Sequence, residues 1–244
     1  MAAIIGSSEF ETFIENDSGA KSGALIDTNL LFAADYDLHH MHEEACNIID
    51  ILLERKIPFF ANVTIRSELL ELKRRVLITE SLMDFLKQVG KALPVVLYNK
   101  LKSTRTVIDE AVKGERHYLL SDQNIKAYRD LFEENIGPDS WAKFCSTYLK
   151  TKLQQEWAEQ TARKNIIYLN DSQKDRLVEP LTWEDAVSII EDFGIGSSDA
   201  MIINMFLKSN LLVLCTGDRD VAYCLSRISS SKTVVMPTAT RLNR

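Results

Sequence analysis

The sequence predicts an α/β fold with three layers, in which a mainly parallel central sheet is flanked by helices and interrupted by a helical insertion. Three observations predict it. Short apolar runs of strand length alternate with longer segments whose apolar residues recur at helical spacing. Carboxylates and small polar residues follow several of these runs, as is typical of the carboxyl edge of a parallel sheet. Helical spacing then continues without a strand pattern from about residue 77 to about residue 165.

Length and composition are those of a globular protein. The 244 residues fit one large domain with an insertion, and 45% hydrophobic content is ordinary for a protein with a core. The net charge of −6 argues against a protein that coats nucleic acid by charge alone. The four cysteines lack Cys-x-x-Cys spacing, so we expect neither disulfides nor zinc. Since no export signal and no apolar run of roughly 20 residues is found, we expect a cytoplasmic protein without a membrane partner.

The first predicted strand delivers the most informative motif of the chain. Residues 1–22 have a loop-like end and are interpreted as a loosely attached N-terminal extension, with one helical turn around Phe10–Ile14. The predicted domain, 23–244, opens with a buried strand that ends in Asp27-Thr28-Asn29. Asp37 then caps a predicted helix that carries apolar residues from Met41 to Leu53.

The second predicted strand leads into a helix that carries another acid. Residues 58–63 form the strand, and Thr64 is the predicted N-cap of a helix that begins at Ile65. Glu68 lies near the first turn of that helix, so connectivity brings it to the same edge as Asp27. The insertion that follows, about 77–165, is interpreted as four or so helices. Its predicted breaks lie at Thr79, Pro94, Gly114, Ser121 and Gly137-Pro138, and one long helix is predicted from about 140 to 164.

Two more acids follow in the last third of the chain. After a third strand at 166–169, Thr182 begins and Gly194 ends a short helix. Asp199 lies in the first turn of the next helix, which leads to a strand at 211–215. Asp218 directly follows that strand, and a final strand at 233–236 closes the domain.

Connectivity therefore places Asp27, Glu68, Asp199 and Asp218 at one rim, although they come from four separate elements. Several close carboxylates repel one another unless a cation neutralises them. Oxygen ligands without a set of histidines indicate Mg²⁺ or Mn²⁺. Simpler interpretations remain open at each position: Asp27 as a cap, Asp199 as an acid at a helix start, Glu71 in place of Glu68, and Asp220 as an outer ligand beside Asp218.

The matching pieces resemble the PIN domain, a family of metal-dependent nucleases that includes VapC-type toxins and RNA-processing enzymes. They are Leu25-Ile26-Asp27-Thr28-Asn29, Glu68, Ser198-Asp199-Ala200-Met201-Ile202 and Leu214-Cys215-Thr216-Gly217-Asp218-Arg219-Asp220, and they fall within residues 24–75 and 165–237. The resemblance implies that Asp27, Glu68, Asp199 and Asp218 hold the ions, and that Asn29 and Thr216 orient them. The helical insertion and the N-terminal extension depart from the small toxins of the family.

The resemblance implies an endoribonuclease that uses two Mg²⁺ or Mn²⁺ ions and leaves 5′-phosphate and 3′-hydroxyl ends. Lys73, Arg74 and Arg75 are candidates for gripping the phosphates of RNA, with an ordinary solvated helix face as the alternative. Other functions stay open: a DNA nuclease, a binding or scaffold module without catalysis, and a phosphatase, although Asn29 occupies the position of its second aspartate. An antitoxin or another protein partner and a homodimer are also open.

Overall fold

A parallel sheet carries the fold. The structure is a computed structural model and describes residues 2–169, 176–228 and 231–238. Within these residues the sheet has six strands in the order β1-β6-β5-β2-β3-β4, and each runs parallel to its neighbours. The predicted α/β class with a mainly parallel sheet is therefore confirmed. The strands are β1 (Ala3–Gly6), β2 (Ala24–Ile26), β3 (Phe59–Ala61), β4 (Ile166–Tyr168), β5 (Val213–Cys215) and β6 (Thr233–Met236).

The helices belong to two compact units of the chain. Residues 1–69 together with 160–244 form the sheet unit, and residues 70–159 form the helical unit, which compares with an insertion predicted at about 77–165. One long helix, α4, begins in the sheet unit and continues in the helical unit. The helices are α1 (Ser7–Asn16), α2 (Thr28–Ala33), α3 (His42–Glu54), α4 (Val63–Val89), α5 (Val95–Lys113), α6 (Asp122–Asn135), α7 (Ser140–Tyr148), α8 (Lys152–Lys164), α9 (Trp183–Phe193), α10 (Ser197–Lys208) and α11 (Arg219–Arg227).

The strand order sets a switch point between β2 and β5. From β2 the chain steps outward to β3 and β4, and it then returns to build β5 and β6 on the other side of β2. Right-handed crossovers in opposite directions place α3 on one face of the sheet and α11 on the other. The packing agrees, because α3 contacts α1 and α2 whereas α10 contacts α9 and α11. A crevice at the carboxyl ends of β2 and β5 follows from this order, and such crevices hold ligands in open α/β sheets.

The first residues are an integral part of the sheet, so the prediction of a loosely attached extension at 1–22 is wrong. β1 pairs with β6 from Ala3 opposite Thr233 to Gly6 opposite Met236. The helix α1 that follows is longer than the predicted turn and buries Phe10 and Ile14 completely. The strand was missed because a run of four residues carries little periodicity, and its pairing partner lies more than two hundred residues away in the chain.

Several local predictions are corrected by the structure. Asn62, not Thr64, caps α4, because its side-chain oxygen accepts the backbone N–H of Ile65 at 2.9 Å. Thr79 does not break α4, since its hydroxyl donates to the carbonyl of Arg75 at 2.7 Å and stays within the helix. Asp37 does not cap α3, which begins at His42. The long helix predicted from 140 to 164 is divided in two between Tyr148 and Lys152.

Other caps are confirmed. The Thr182 hydroxyl accepts the backbone N–H of Asp185 at 3.3 Å and begins α9. Gly194 ends the same helix in the left-handed conformation, with φ of 67°. Short-range chemistry of this kind is readable from sequence because the partners lie within one turn of each other.

The helical unit has a hydrophobic core of its own. Buried aliphatic residues of α4 and α5, such as Leu82 and Leu97, pack with the aromatic rings of Phe132 and Phe144. The ring of Tyr128 is fully buried there, and its hydroxyl lies 2.6 Å from that of Thr104. No helix in the described ranges is both long enough and apolar enough to cross a membrane.

A substitution at Gly23, which directly precedes β2, can test how tightly this part of the sheet is packed. Its φ is 140°, and an added Cβ would lie 2.5 Å from Phe60 Cε2 and 3.0 Å from the carbonyl oxygen of Pro58. We expect Gly23→Ala to lower the free energy of unfolding by about 3 kcal/mol or more, because conformational strain and overpacking add. Chemical denaturation measures the change.

Gly194→Ala is the matched control. Gly194 also has a positive φ, of 67°, but an added Cβ would meet no described atom within 4 Å. The control should therefore lose only about 1 kcal/mol. If both variants lost the same free energy of unfolding, close packing around Gly23 would not be the reason for the glycine.

Candidate functional site

Asp27 is a buried carboxylate at the carboxyl end of β2. Asp27 is only 3% exposed. The backbone N–H of Thr28 donates to Oδ1 at 2.6 Å, and the hydroxyl of Thr216 donates to Oδ2 at 2.5 Å. The backbone N–H of Asp27 donates to the carbonyl of Cys215 at 2.9 Å, which ties the ends of β2 and β5 together. Each carboxylate oxygen therefore has one fixed donor.

Burial raises the pKa of Asp27 from 3.8 to about 7, since a charged carboxylate is poorly solvated inside a protein. The hydrogen bonds from Thr216 and Thr28 oppose this change, whereas the charges of Glu68 and Asp218 add to it. A carboxylate with such a pKa gains from a nearby cation, which would favour its charged form.

Thr28 connects Asp27 to Glu68. Glu68 lies in the second turn of α4 and is half-buried. The hydroxyl of Thr28 donates to Glu68 Oε2 at 2.9 Å, and it also lies 3.3 Å from the carbonyl oxygen of Ile65. A single buried threonine thus holds the first strand motif against the helix that carries the second acid. Glu71, the alternative to Glu68, pairs instead with Arg74 in the helical unit.

The loop after β5 is held by the polar side chains of Asn29 and Thr216. Asn29 Oδ1 accepts the backbone N–H of Gly217 at 2.8 Å, and Thr216 Oγ1 accepts the backbone N–H of Asp218 at 2.9 Å. An added Cβ at Gly217 would lie 2.8 Å from the sulfur of Met41, so the thioether of Met41 would have to move to admit it. The peptide backbone between Thr216 and Asp218 is therefore fixed on both sides.

Asp218 is the N-cap of α11 and follows the loop after β5 directly. Its Oδ1 accepts the backbone N–H groups of Asp220 at 2.7 Å and Val221 at 3.3 Å. Asp218 is half-buried, whereas Asp220 is exposed. The capping role leaves Asp218 Oδ2 without a hydrogen-bond donor among the described residues. This oxygen is the part of Asp218 with the capacity to bind a ligand.

Asp199 lies in the first turn of α10 and belongs to the same electrostatic group. Burial raises its pKa from 3.8 to about 6, and the charges of Asp218, Glu68 and Asp220 raise it further, in that order. Asp199 Oδ2 would lie 3.2 Å from a Cβ at Gly196, so the absence of a side chain at Gly196, three residues earlier, leaves space for the carboxylate. The charges of Glu68 and Asp218 therefore raise the pKa of both Asp27 and Asp199.

The acids are close enough to interact, but they are not closely clustered. In the described part of the chain, no group of three or more His, Cys, Asp or Glu side chains is arranged so that it could hold a metal ion. The donor set does fit a hard divalent cation in kind, because it consists of carboxylate oxygens with hydroxyl groups behind them.

The basic residues predicted to grip phosphates have partners inside the helical unit. Lys73 is buried, and its Nζ lies 3.0 Å from Glu156 Oε2. Arg74 Nη2 lies 2.6 Å from Asp122 Oδ1 and also pairs with Glu71. Arg75 Nε donates to the carbonyl of Leu120 at 2.8 Å. These contacts give the three side chains a structural role, and their binding of phosphate stays a prediction.

Sequence reasoning assigned no role to Thr28. It lies between the acid and the asparagine of the Asp27-Thr28-Asn29 motif, yet only the fold reveals that its hydroxyl reaches forty residues along the chain to Glu68. Thr216, by contrast, was singled out as an orienting residue, and its hydroxyl contacts Asp27 directly.

Comparison of the chain with protein-family models, with curated proteins and with solved structures finds no match.

The raised pKa of Asp27 predicts how stability depends on pH. Since the folded state holds the proton more tightly than the unfolded state, stability is greatest below pH 3.8 as far as this group is concerned. It is lost as the pH rises through about 7, by up to about 4 kcal/mol for the shift in pKa. Asp199 acts in the same direction.

Thermal unfolding in EDTA at a series of pH values checks this. We expect Asp27→Asn to flatten the decline between about pH 4 and 7 and to raise the melting temperature at neutral pH. The control is Asp130→Asn, because Asp130 is an exposed aspartate of the helical unit. A decline of the same size in wild type and Asp27→Asn would contradict the assignment to Asp27.

Proposed function

We propose that this protein is a nuclease with a PIN-like, three-layer fold that uses Mg²⁺ or Mn²⁺ to hydrolyse phosphodiester bonds, with RNA as its substrate. One observation carries the proposal: at the carboxyl edge of a parallel sheet, burial and the charges of acids from separate elements raise the pKa of Asp27 to about 7 and that of Asp199 to about 6. A group of coupled acids in a crevice at a topological switch point is typical of a functional site rather than of packing.

The oxygen donors support a hard divalent cation as the cofactor. Asp27, Glu68, Asp199 and Asp218 would hold it, with the exposed Asp220 as an outer ligand. When bound, such ions activate a water molecule and stabilise the leaving oxygen of a phosphodiester. They would also neutralise a group of acids that otherwise repels a polyanionic substrate.

The residues behind the acids orient them. Thr216 fixes Asp27 Oδ2 and the backbone of Asp218, so one hydroxyl group sets the spacing of two acids. Thr28 fixes Glu68 relative to Asp27 in the same way. Asn29 holds the intervening loop through Gly217. Side chains held in this way lose little conformational freedom when a substrate binds.

One observation favours a second candidate, a scaffold module that lacks catalysis. Within residues 2–169, 176–228 and 231–238, no three side chains of His, Cys, Asp or Glu are arranged so that they could bind a metal ion together. In a scaffold, Asp27 and Asp218 would serve only as the N-caps of α2 and α11. The two candidates differ in whether any nucleic acid is cut in the presence of a divalent cation, and DNA is tested beside RNA.

The first experiment measures cleavage of labelled single-stranded RNA and DNA with Mn²⁺ or Mg²⁺ and with EDTA. We expect cleavage that EDTA abolishes, and we expect Asp27→Asn to lower its rate by about two orders of magnitude or more, since the variant removes a charge needed to bind the ions. Asp130→Asn should retain wild-type activity. Absence of any EDTA-sensitive cleavage by the pure wild-type protein would favour the scaffold.

The second experiment measures binding of the ions without activity. We expect Mn²⁺ to raise the melting temperature of the wild-type protein more at pH 8 than at pH 5.5, because protons compete for carboxylates whose pKa values are about 6 and 7. In Asp27→Asn most of this stabilisation should be lost. A stabilisation that does not depend on pH or on Asp27 would place the ion elsewhere in the protein.

A further inference from the structure

An open groove lies beside Glu68 on the sheet unit. It has a volume of about 300 Å³ and runs between the start of α4 and the starts of α9 and α10. Its apolar lining comes from Val63, Met201 and the indole of Trp183. Glu68 also lines it, so the groove is continuous with the group of acids described above.

Trp183 is an unusual surface residue in this groove. It is 55% exposed, although tryptophan is a residue that proteins usually bury to a large extent. In the described ranges its indole has no aromatic ring, no cation and no hydrogen-bond acceptor as a partner. A large flat ring whose face is available is the group that proteins use to stack unpaired bases.

The backbone that carries Trp183 is firmly held. The preceding residue, Thr182, caps α9 through the N–H of Asp185. The side-chain amide of Asn204, which is 1% exposed, donates to the carbonyl of Thr182 at 2.9 Å and fixes the start of α9 against α10. Because the ring is presented from a fixed helix end, stacking on it would require little ordering of the protein.

The polar side chains that line the groove have hydroxyl groups that are available for hydrogen bonding. The hydroxyl groups of Thr64, Ser67, Ser197 and Ser198 line the groove, and none has a hydrogen-bond partner among the residues that the structure describes. Hydroxyl groups both donate and accept, so they suit the edges of bases, the sugars and the phosphates of a nucleotide. A groove with one free ring and several free hydroxyl groups has the chemistry of a nucleotide subsite.

We propose that the groove between α4, α9 and α10 is a subsite for one unpaired nucleotide next to the phosphodiester that reacts, and that its base stacks on Trp183. The proposal rests on the proposed function and deepens it, because it makes a single-stranded segment the substrate at this position. A base held in a duplex could not present its face to the ring, so the subsite would discriminate against paired nucleic acid.

The test is a binding experiment that does not need cleavage. The full-length protein is titrated in EDTA against fluorescently labelled single-stranded RNA, and against the same RNA in which the bases of the central nucleotides are missing. We expect wild type to bind intact RNA about 5- to 100-fold more tightly than abasic RNA, since stacking depends on the base. Trp183→Ala should lose this preference, and Trp183→Phe should keep part of it.

Tyr223→Ala is the matched control, because Tyr223 is an exposed aromatic residue of the sheet unit outside the groove and is 45% exposed. It should keep the wild-type preference, and circular dichroism should show that every variant is folded. Trp183→Ala that still prefers intact RNA, or wild type that shows no preference, overturns the subsite.

The outcome is separable from that of the nuclease proposal. A wild-type protein that cuts RNA while Trp183→Ala retains its preference for intact RNA refutes the subsite and leaves the nuclease standing. A protein that prefers intact RNA through Trp183 but never cuts with Mn²⁺ supports the subsite and refutes the nuclease.

Discussion

The candidate site depends on keeping the carboxylate of Asp27 in a nearly solvent-free position at the end of β2. Burial makes its charged form unfavourable, and two neighbouring acids increase the effect. Among the described residues, two hydrogen bonds to this carboxylate, from Thr216 and Thr28, act in the opposite direction. The strand ends, the loop after β5 and the start of α4 are all arranged around these donors. A packed core alone would not require an acid at this position.

The topology explains why distant parts of the chain meet there. β2 lies between β3 and β5, and the chain leaves it in one direction before returning to build the other half of the sheet. The segment after β2 and the segment after β5 therefore emerge side by side, and each brings an acid and a hydroxyl group. Helix α4 adds Glu68 from its second turn, and helix α10 adds Asp199 from its first turn. The order of the strands thus brings together acids that no single sequence motif contains.

Local patterns predicted the parts of the fold that depend on neighbours in the chain. The strands that precede Asp27 and Asp218, and both ends of α9, could be read from apolar runs and capping residues. Features that depend on distant partners could not. The pairing of β1 with β6 and the hydrogen bond between Thr28 and Glu68 join residues that are far apart in sequence. The cap at Asn62 was missed because Thr64, two residues later, is an equally good capping residue by type.

The place of β6 in the sheet has a consequence for how the chain is synthesised. β6 separates β1 from β5, yet β1 is made first among the described strands and β6 is made last. On the ribosome, β1 must therefore wait, with an unpaired edge, until nearly all of the remaining described chain has emerged. A chain that ended before β6 would leave β1 without its neighbour and would turn β5 into an edge strand.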